Sequence, residues 1–247
     1  MKYSNKILSL IIKAREEDPQ ALCELAYLYA TGKEIEQDYV KSFMYYERAA
    51  KKNYAKAQFN IGILYENGFG VKLDLNLAKE WYEMAALQGF APAQFNLAFL
   101  HDTYFQEHDL AHHWYQQAAK ANFSPAQNNL GWKYLNGLGI ESDLELAIFW
   151  LKKAAEQEVP EAMRHIGFCY LRGLGLPQDD QSAFEWFKKA AMFDDAIALY
   201  HIGKMCQEGK VVNQDSELAR EFLLKSAELG CDSARLYLNQ VVDKVGA

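Results

Sequence analysis

The 247-residue chain has no run of about 20 apolar residues, the length a membrane-crossing helix needs, so no such helix is expected. Positive charge is in deficit. Twenty-six lysines and arginines against 33 aspartates and glutamates leave a net charge of −7 and a pI near 5.4. That balance disfavours a nucleic-acid backbone or an anionic membrane surface as the main partner and suits basic or polar protein segments better. Cysteine is sparse: Cys23, Cys169, Cys206 and Cys231 form no C-x-x-C pair. They read as small buried residues in a reducing, cytoplasmic setting, with a Cys206–Cys231 bridge left open. G-x-S-x-G, H-E-x-x-H and phosphate-loop motifs are missing, and each G-x-G lacks the preceding strand a dinucleotide site requires. No enzyme and no cofactor are therefore expected.

What is present is repetition. The 36 residues 55–90, AKAQFNIGILYENGFGVKLDLNLAKEWYEMAALQGF, recur as 19–54, 91–123, 124–159, 160–195 and 196–231, and the 91–123 copy is three residues shorter. A fixed period of this length marks stacked supersecondary units that cannot bury their apolar faces alone. Each copy reads as two helices. Ala57, Ile61, Gly62 and Tyr65 make one apolar stripe on the first. Gly62, Gly131, Gly167 and Gly203 share a register position that Ala26 and Ala98 also fill, which predicts close helix crossing. A glycine pair such as Gly68 and Gly70 ends the first helix. Asp38, Asp74, Asp143, Asp179 and Asp215 then stand where an N-cap belongs. The second helix carries a large aromatic, Tyr45, Trp81, Trp114, Trp150, Trp186 or Phe222, and a small pair such as Ala85–Ala86, which read as interdigitating core.

AKAQFNIGILYENGFG and SPAQNNLGWKYLNGLG match A-x-A-x-x-x-L-G-x-x-Y-x-x-G-x-G almost letter for letter. With the following Asp, A-x-x-W and A-A, the pattern resembles the Sel1-like repeat family, a relative of the tetratricopeptide repeat, over residues 19–231. The resemblance implies an all-α fold, a right-handed α-solenoid of stacked antiparallel helix pairs with a concave face. It also implies an adaptor or scaffold for other proteins. Cysteine-rich secreted members carry a regular cysteine pair in each repeat, and this chain departs from that.

Residues 1–18, MKYSNKILSLIIKAREED, are expected to form a capping helix with Ile7, Leu8, Ile11 and Ile12 on one face. The basic start with Lys2 and Lys6 and the short apolar run make a weak signal peptide. Residues 232–247 are expected to cap the other end, with Ala234, Leu236, Leu238 and Val241 turned to the core.

In the implied architecture the first helices line the concave face, with the second, fifth, sixth, ninth and twelfth residues of each copy pointing outward. The candidate protein-binding residues are then Phe59, Asn60, Phe95, Asn96, Phe99, Asn129, Trp132, Arg164, His165, Phe168, Tyr200, His201 and Lys204. Phe99, Trp132 and Phe168 would anchor a partner chain. Asn60, Asn96, Asn129, His165 and His201 form a polar ladder suited to an extended peptide backbone. Charge shifts from Glu66 and Asp102 early to Arg164, Arg172 and Lys204 late, which suits a ligand with one basic and one acidic end. A protein or peptide partner and a monomeric chain are expected.

The copy at 91–123 is the irregular one. It has lost both glycines and holds His101, His108, His112 and His113. His108 and His112 are four apart on one helical face, a spacing at which two imidazoles share a zinc, and His101 lies near. The competing reading is a relaxed loop with its polar residues in water. A hydrolase or metal-binding role for this copy is one rival to the scaffold; a secreted effector engaging host or envelope proteins is another.

Overall fold

The computed structural model describes residues 4–211 and 214–245; expectations resting on Lys2 and on the Val241 side chain fall outside that description. Among the described residues there are fourteen α-helices, one π-helix and no strand. The chain divides into two compact units, 1–123 and 124–247.

The first unit holds α1 (Asn5–Arg15), α2 (Pro19–Thr31), α3 (Tyr39–Ala50), α4 (Ala55–Asn67), α5 (Leu75–Ala86), α6 (Ala91–Leu100), the π-helix (His101–Phe105) and α7 (His108–Lys120). The second holds α8 (Ser124–Asn136), α9 (Leu144–Ala155), α10 (Pro160–Arg172), α11 (Asp180–Ala191), α12 (Ala196–Glu208), α13 (Ser216–Glu228) and α14 (Asp232–Val245). Within each unit every helix packs on the next in the chain, most closely inside a copy, as α4 on α5 and α10 on α11. This is the helix-pair stacking of an α-solenoid.

Local chemistry sets the helix ends. Each of the five expected aspartates accepts a hydrogen bond from a backbone N–H in the first turn of its second helix. Asp18 and Asp195, which the repeat pattern does not single out, cap α2 and α12 the same way. Gly70 combines a left-handed φ of 71° with backbone contact: a Cβ there would lie 2.6 Å from the Tyr39 carbonyl carbon of the preceding copy. Glu34, φ 64°, takes that place in the first copy. A second left-handed position closes every copy, at Asn53, Gly89, Asn122, Glu158, Asp194 and Gly230.

The core follows the small residues. A Cβ on Gly62 would sit 2.5 Å from the Tyr82 ring, so the expected close crossing of the two helices is present and the ring fills the gap. The deepest large side chain of the second helix stands one residue after the expected aromatic. Tyr46, Tyr82, Tyr115, Leu151, Phe187 and Leu223 are buried, whereas Trp81, Trp114, Trp150 and Trp186 are only half-buried. On α1 the buried face is Ile7, Leu10 and Ala14, with Leu8 and Ile12 exposed. The i, i+3, i+7 stripe wins because Ala14 extends it into the next turn. On α14, Ala234 is buried and Leu236 exposed.

Residues 101–105 are not a relaxed loop. With the glycines gone, α6 runs into a π-helix that ends at Gln106 in a left-handed conformation. His101 is buried there, its Nδ1 2.6 Å from a Glu107 carboxylate oxygen.

Candidate protein-interaction surface

In the first unit, a cleft of about 370 Å³ opens between the first helices of adjacent copies, α2 and α4. Cys23 and Tyr46, both buried, form its floor; Tyr27, Tyr54, Phe59 and Phe90 give it aromatic walls. Gln20, Glu24, Lys56 and Asn60 supply its polar groups. Burial pushes the Cys23 thiol up to about 11, with nearby Lys56 pulling down and Glu24 pushing up. The thiol is therefore protonated at neutral pH and acts as apolar surface. Tyr27 is 45% exposed at this cleft.

The fifth and sixth positions of α4 and α6 are half-buried, and packing within the chain takes up part of each side chain. Phe59 packs on Tyr82 and on Phe90, with ring centroids 5.7 and 5.4 Å away. Phe95 packs in the same manner on Tyr115 and Phe123. Asn60 donates its amide to the Lys56 carbonyl of its own helix at 2.6 Å. Asn96 donates to the Tyr82 hydroxyl at 3.2 Å, and that hydroxyl donates to Glu66 at 2.5 Å. The amide donors of these two rungs thus serve the fold, because a polar group in a half-buried helix face is costly without a partner. Phe99 is different: it is 40% exposed and edge-on to Tyr104.

In the second unit the ninth position of one copy meets the sixth of the next. The Trp132 ring stacks on His165, centroids 4.5 Å apart and planes 21° from parallel. Phe168 meets His201 edge-on at 4.8 Å, and His201 also stacks on buried Phe187 at 5.2 Å. Burial holds both imidazoles down to about 4, helped by Arg164 beside His165 and by Lys204, Arg172 and Arg164 around His201. The neutral His165 ring therefore backs Trp132, which is 38% accessible. Tyr200 lies against His201 and Tyr237. Asn129 is half-buried on α8.

The expected run of late positive charge is largely answered within the chain. Arg164 Nε lies 2.9 Å from Asp195, the two side chains only 15% and 9% exposed. Arg172 covers the Phe168 ring, and Lys204 faces Glu208 at 3.8 Å. These contacts are local to each copy and invisible in a one-dimensional charge pattern.

The histidines do not converge. His101 goes to Glu107, His108 Nδ1 lies 3.0 Å from Asp102, and His112 accepts from Gln116 at 2.8 Å. Among the described residues no three histidine, cysteine, aspartate or glutamate side chains group as metal ligands. All four cysteines are free thiols, so Cys206 and Cys231 are not bridged.

Comparison with known proteins agrees with this architecture. The family model for the Sel1 repeat matches residues 19–54, 55–90, 91–123, 124–159, 160–192 and 196–231. A search of curated proteins returned no match. Among solved structures, the chain is similar to c5321, a protective antigen of uropathogenic Escherichia coli strains displaying an SLR fold, at 31% identity and a TM-score of 0.87. That match covers 98% of this chain and 52% of the antigen, so the chain spans about half its relative's length. A Sel1 repeat protein of Oxalobacter formigenes is 26% identical with a TM-score of 0.75, covering 90% of this chain and 97% of its own. The immunity protein PA5088 of Pseudomonas aeruginosa shares the fold alone, at 17% identity, a TM-score of 0.55 and coverage of 87% and 82%. Sel1 repeats mediate protein–protein interactions, generally as scaffolds and typically without enzymatic activity. With six matched repeats covering most of its length, the chain belongs to the Sel1 repeat family.

Proposed function

We propose that the protein is a non-enzymatic adaptor, a cytoplasmic monomer that binds a protein or peptide segment on the faces of its first helices. The observation that carries this reading is the cleft between α2 and α4. Aromatic walls with a few polar groups at the mouth are what a partner's side chain needs: apolar area to bury and donors to orient it. The exposed edges of Phe99 and Trp132 support it. Both rings are held by neighbouring rings, so anchoring on them costs little side-chain entropy.

The test begins with peptides selected from a random display library on the wild-type protein. Their affinities are then measured for Tyr27→Ala and Trp132→Ala, each shown by circular dichroism to keep its helices. Tyr27→Ala or Trp132→Ala should weaken the selected peptides by about tenfold or more, as loss of an aromatic anchor does. Undiminished affinity in both variants would overturn the reading.

A further inference from the structure

The second unit carries another cleft, on the side of the second helices. It measures about 330 Å³ and lies between α9 and α11 against the start of α10. Ala155 and Met163, both buried, form the floor, and half-buried Trp186 is a wall. Lys152 and Lys189 flank it, the Lys189 ammonium 4.0 Å from the Trp186 ring centroid. Glu156 also borders it, but Lys153 answers its charge at 3.1 Å. Among the described residues no carboxylate pairs with Lys152 or Lys189. A chain of net charge −7 thus holds two unpaired cations over an apolar floor.

The repeat supplies its own control. The equivalent positions in the first and second copies are Glu47, Ala50, Lys51, Gln58, Trp81 and Met84. There Gln58 donates to Asn53 at 3.2 Å and accepts from Gln88 at 2.6 Å, and a polar network occupies the place. Between the fourth and fifth copies Met163 replaces that glutamine, while Lys152 and Lys189 replace Glu47 and Met84. Cations in the last turn of a helix complement its dipole wherever they occur. That effect does not call for an apolar residue in the glutamine's place between them.

We propose that this cleft binds an acidic segment of a partner protein through one large apolar side chain. The side chain would rest on Met163 and Trp186, and flanking carboxylates would pair with Lys152 and Lys189. Opposite charge around an apolar anchor gives such a surface both selectivity and a salt-dependent approach. The surface is separate from the first-helix faces, so the adaptor would hold two partners at once.

The probe is the synthetic peptide acetyl-Asp-Glu-Phe-Asp-Glu-amide, titrated while nuclear magnetic resonance follows the Met163 methyl and the Trp186 indole N–H. Saturable shifts at both are expected. Affinity should fall by about tenfold or more when the peptide phenylalanine becomes alanine, when its acids become lysines, and in the double variant Lys152→Glu, Lys189→Glu. Met163→Gln should also lose binding while staying folded, because glutamine fills that position in the second, third and fourth copies. Trp132→Ala should bind the peptide normally. The proposal is overturned by equal binding of the lysine-rich peptide, by undiminished affinity in the double variant, or by no saturable shift at millimolar peptide.

Discussion

The two units solve the same packing problem with different chemistry. At the sixth position of the first helix, the first unit has Asn60 and Asn96, which spend their amides on a helix carbonyl and on the Tyr82 hydroxyl. In its fifth and sixth copies the chain has His165 and His201 there, neutral rings stacked on Trp132 and on Phe187, while Asn129 keeps the amide in the fourth. At the fifth position the first unit packs Phe59 and Phe95 on the aromatic residue that closes each copy, while the second unit sets Arg164 against Asp195. One backbone frame therefore accepts a hydrogen-bonded amide or a stacked imidazole, and an apolar pair or an ion pair. Only the exposed edges of these rows are left for recognition.

The strongest test of that equivalence removes half of the ion pair. Arg164→Ala should destabilise the protein by about 3 kcal/mol in urea denaturation, because Asp195, half-buried, would lose its cation and keep only its capping bond to α12. The double variant Arg164→Phe, Asp195→Phe copies the first unit's pairing of Phe59 with Phe90 and should recover most of that loss, although Asp195 also caps α12. A double variant as unstable as the single one would show that the two arrangements are not interchangeable.

Acid should separate the units next. His165 and His201 are held down to about 4, below the ordinary imidazole value of 6.5. Their contribution is complete above pH 6.5, is lost as pH falls, and is gone below about 4, because the unfolded chain takes up protons the folded chain refuses. At pH 5 the cost is roughly 2 kcal/mol for each histidine. Replacing both with asparagine, the first unit's residue, should flatten stability between pH 7 and 5 relative to wild type. An unchanged pH profile would show that these rings are not desolvated.

A smaller effect belongs to the first unit. Tyr82→Phe removes the hydroxyl that joins Glu66 to Asn96 and should cost about 1–2 kcal/mol in the same denaturation assay. The smallest concerns the left-handed residue that closes each copy. Gly89 and Gly230 meet that conformation without strain, whereas Glu158 does not. Glu158→Gly should raise stability by about 0.5–1 kcal/mol, and a loss of stability would mean the glutamate is held by contacts worth more than its strain.

Features that depend on a few neighbouring residues were legible in the sequence. The aspartate caps and the close approach at Gly62 follow from local rules repeated several times, and repetition separates signal from chance. The direction of adjacent aromatics was not legible. Trp81 and Tyr82 differ by one residue, about a quarter turn, and only the glycine gap opposite decides that Tyr82 enters it. The closing left-handed position was hidden because asparagine, glycine, glutamate and aspartate all occupy it. Among the candidate residues, exposure of the ninth-position rings was legible and the internal partners of the fifth and sixth positions were not. Phe99 and Trp132 do present exposed edges, but the partners of Asn60, Asn96 and Arg164 come from positions that spacing along one helix does not link to them. The π-helix at 101–105 was likewise out of reach, since a lost glycine says that a turn has changed and not into what.

Binding on the first-helix faces is the property on which the adaptor reading stands. Site-specific photocrosslinking tests it most directly. A benzoylphenylalanine is placed at position 27, at position 132 or at exposed Met192, and the protein is irradiated with a peptide selected on the wild type. The account predicts crosslinks from position 27 or 132 and none from 192. Crosslinks from 192 alone would contradict it.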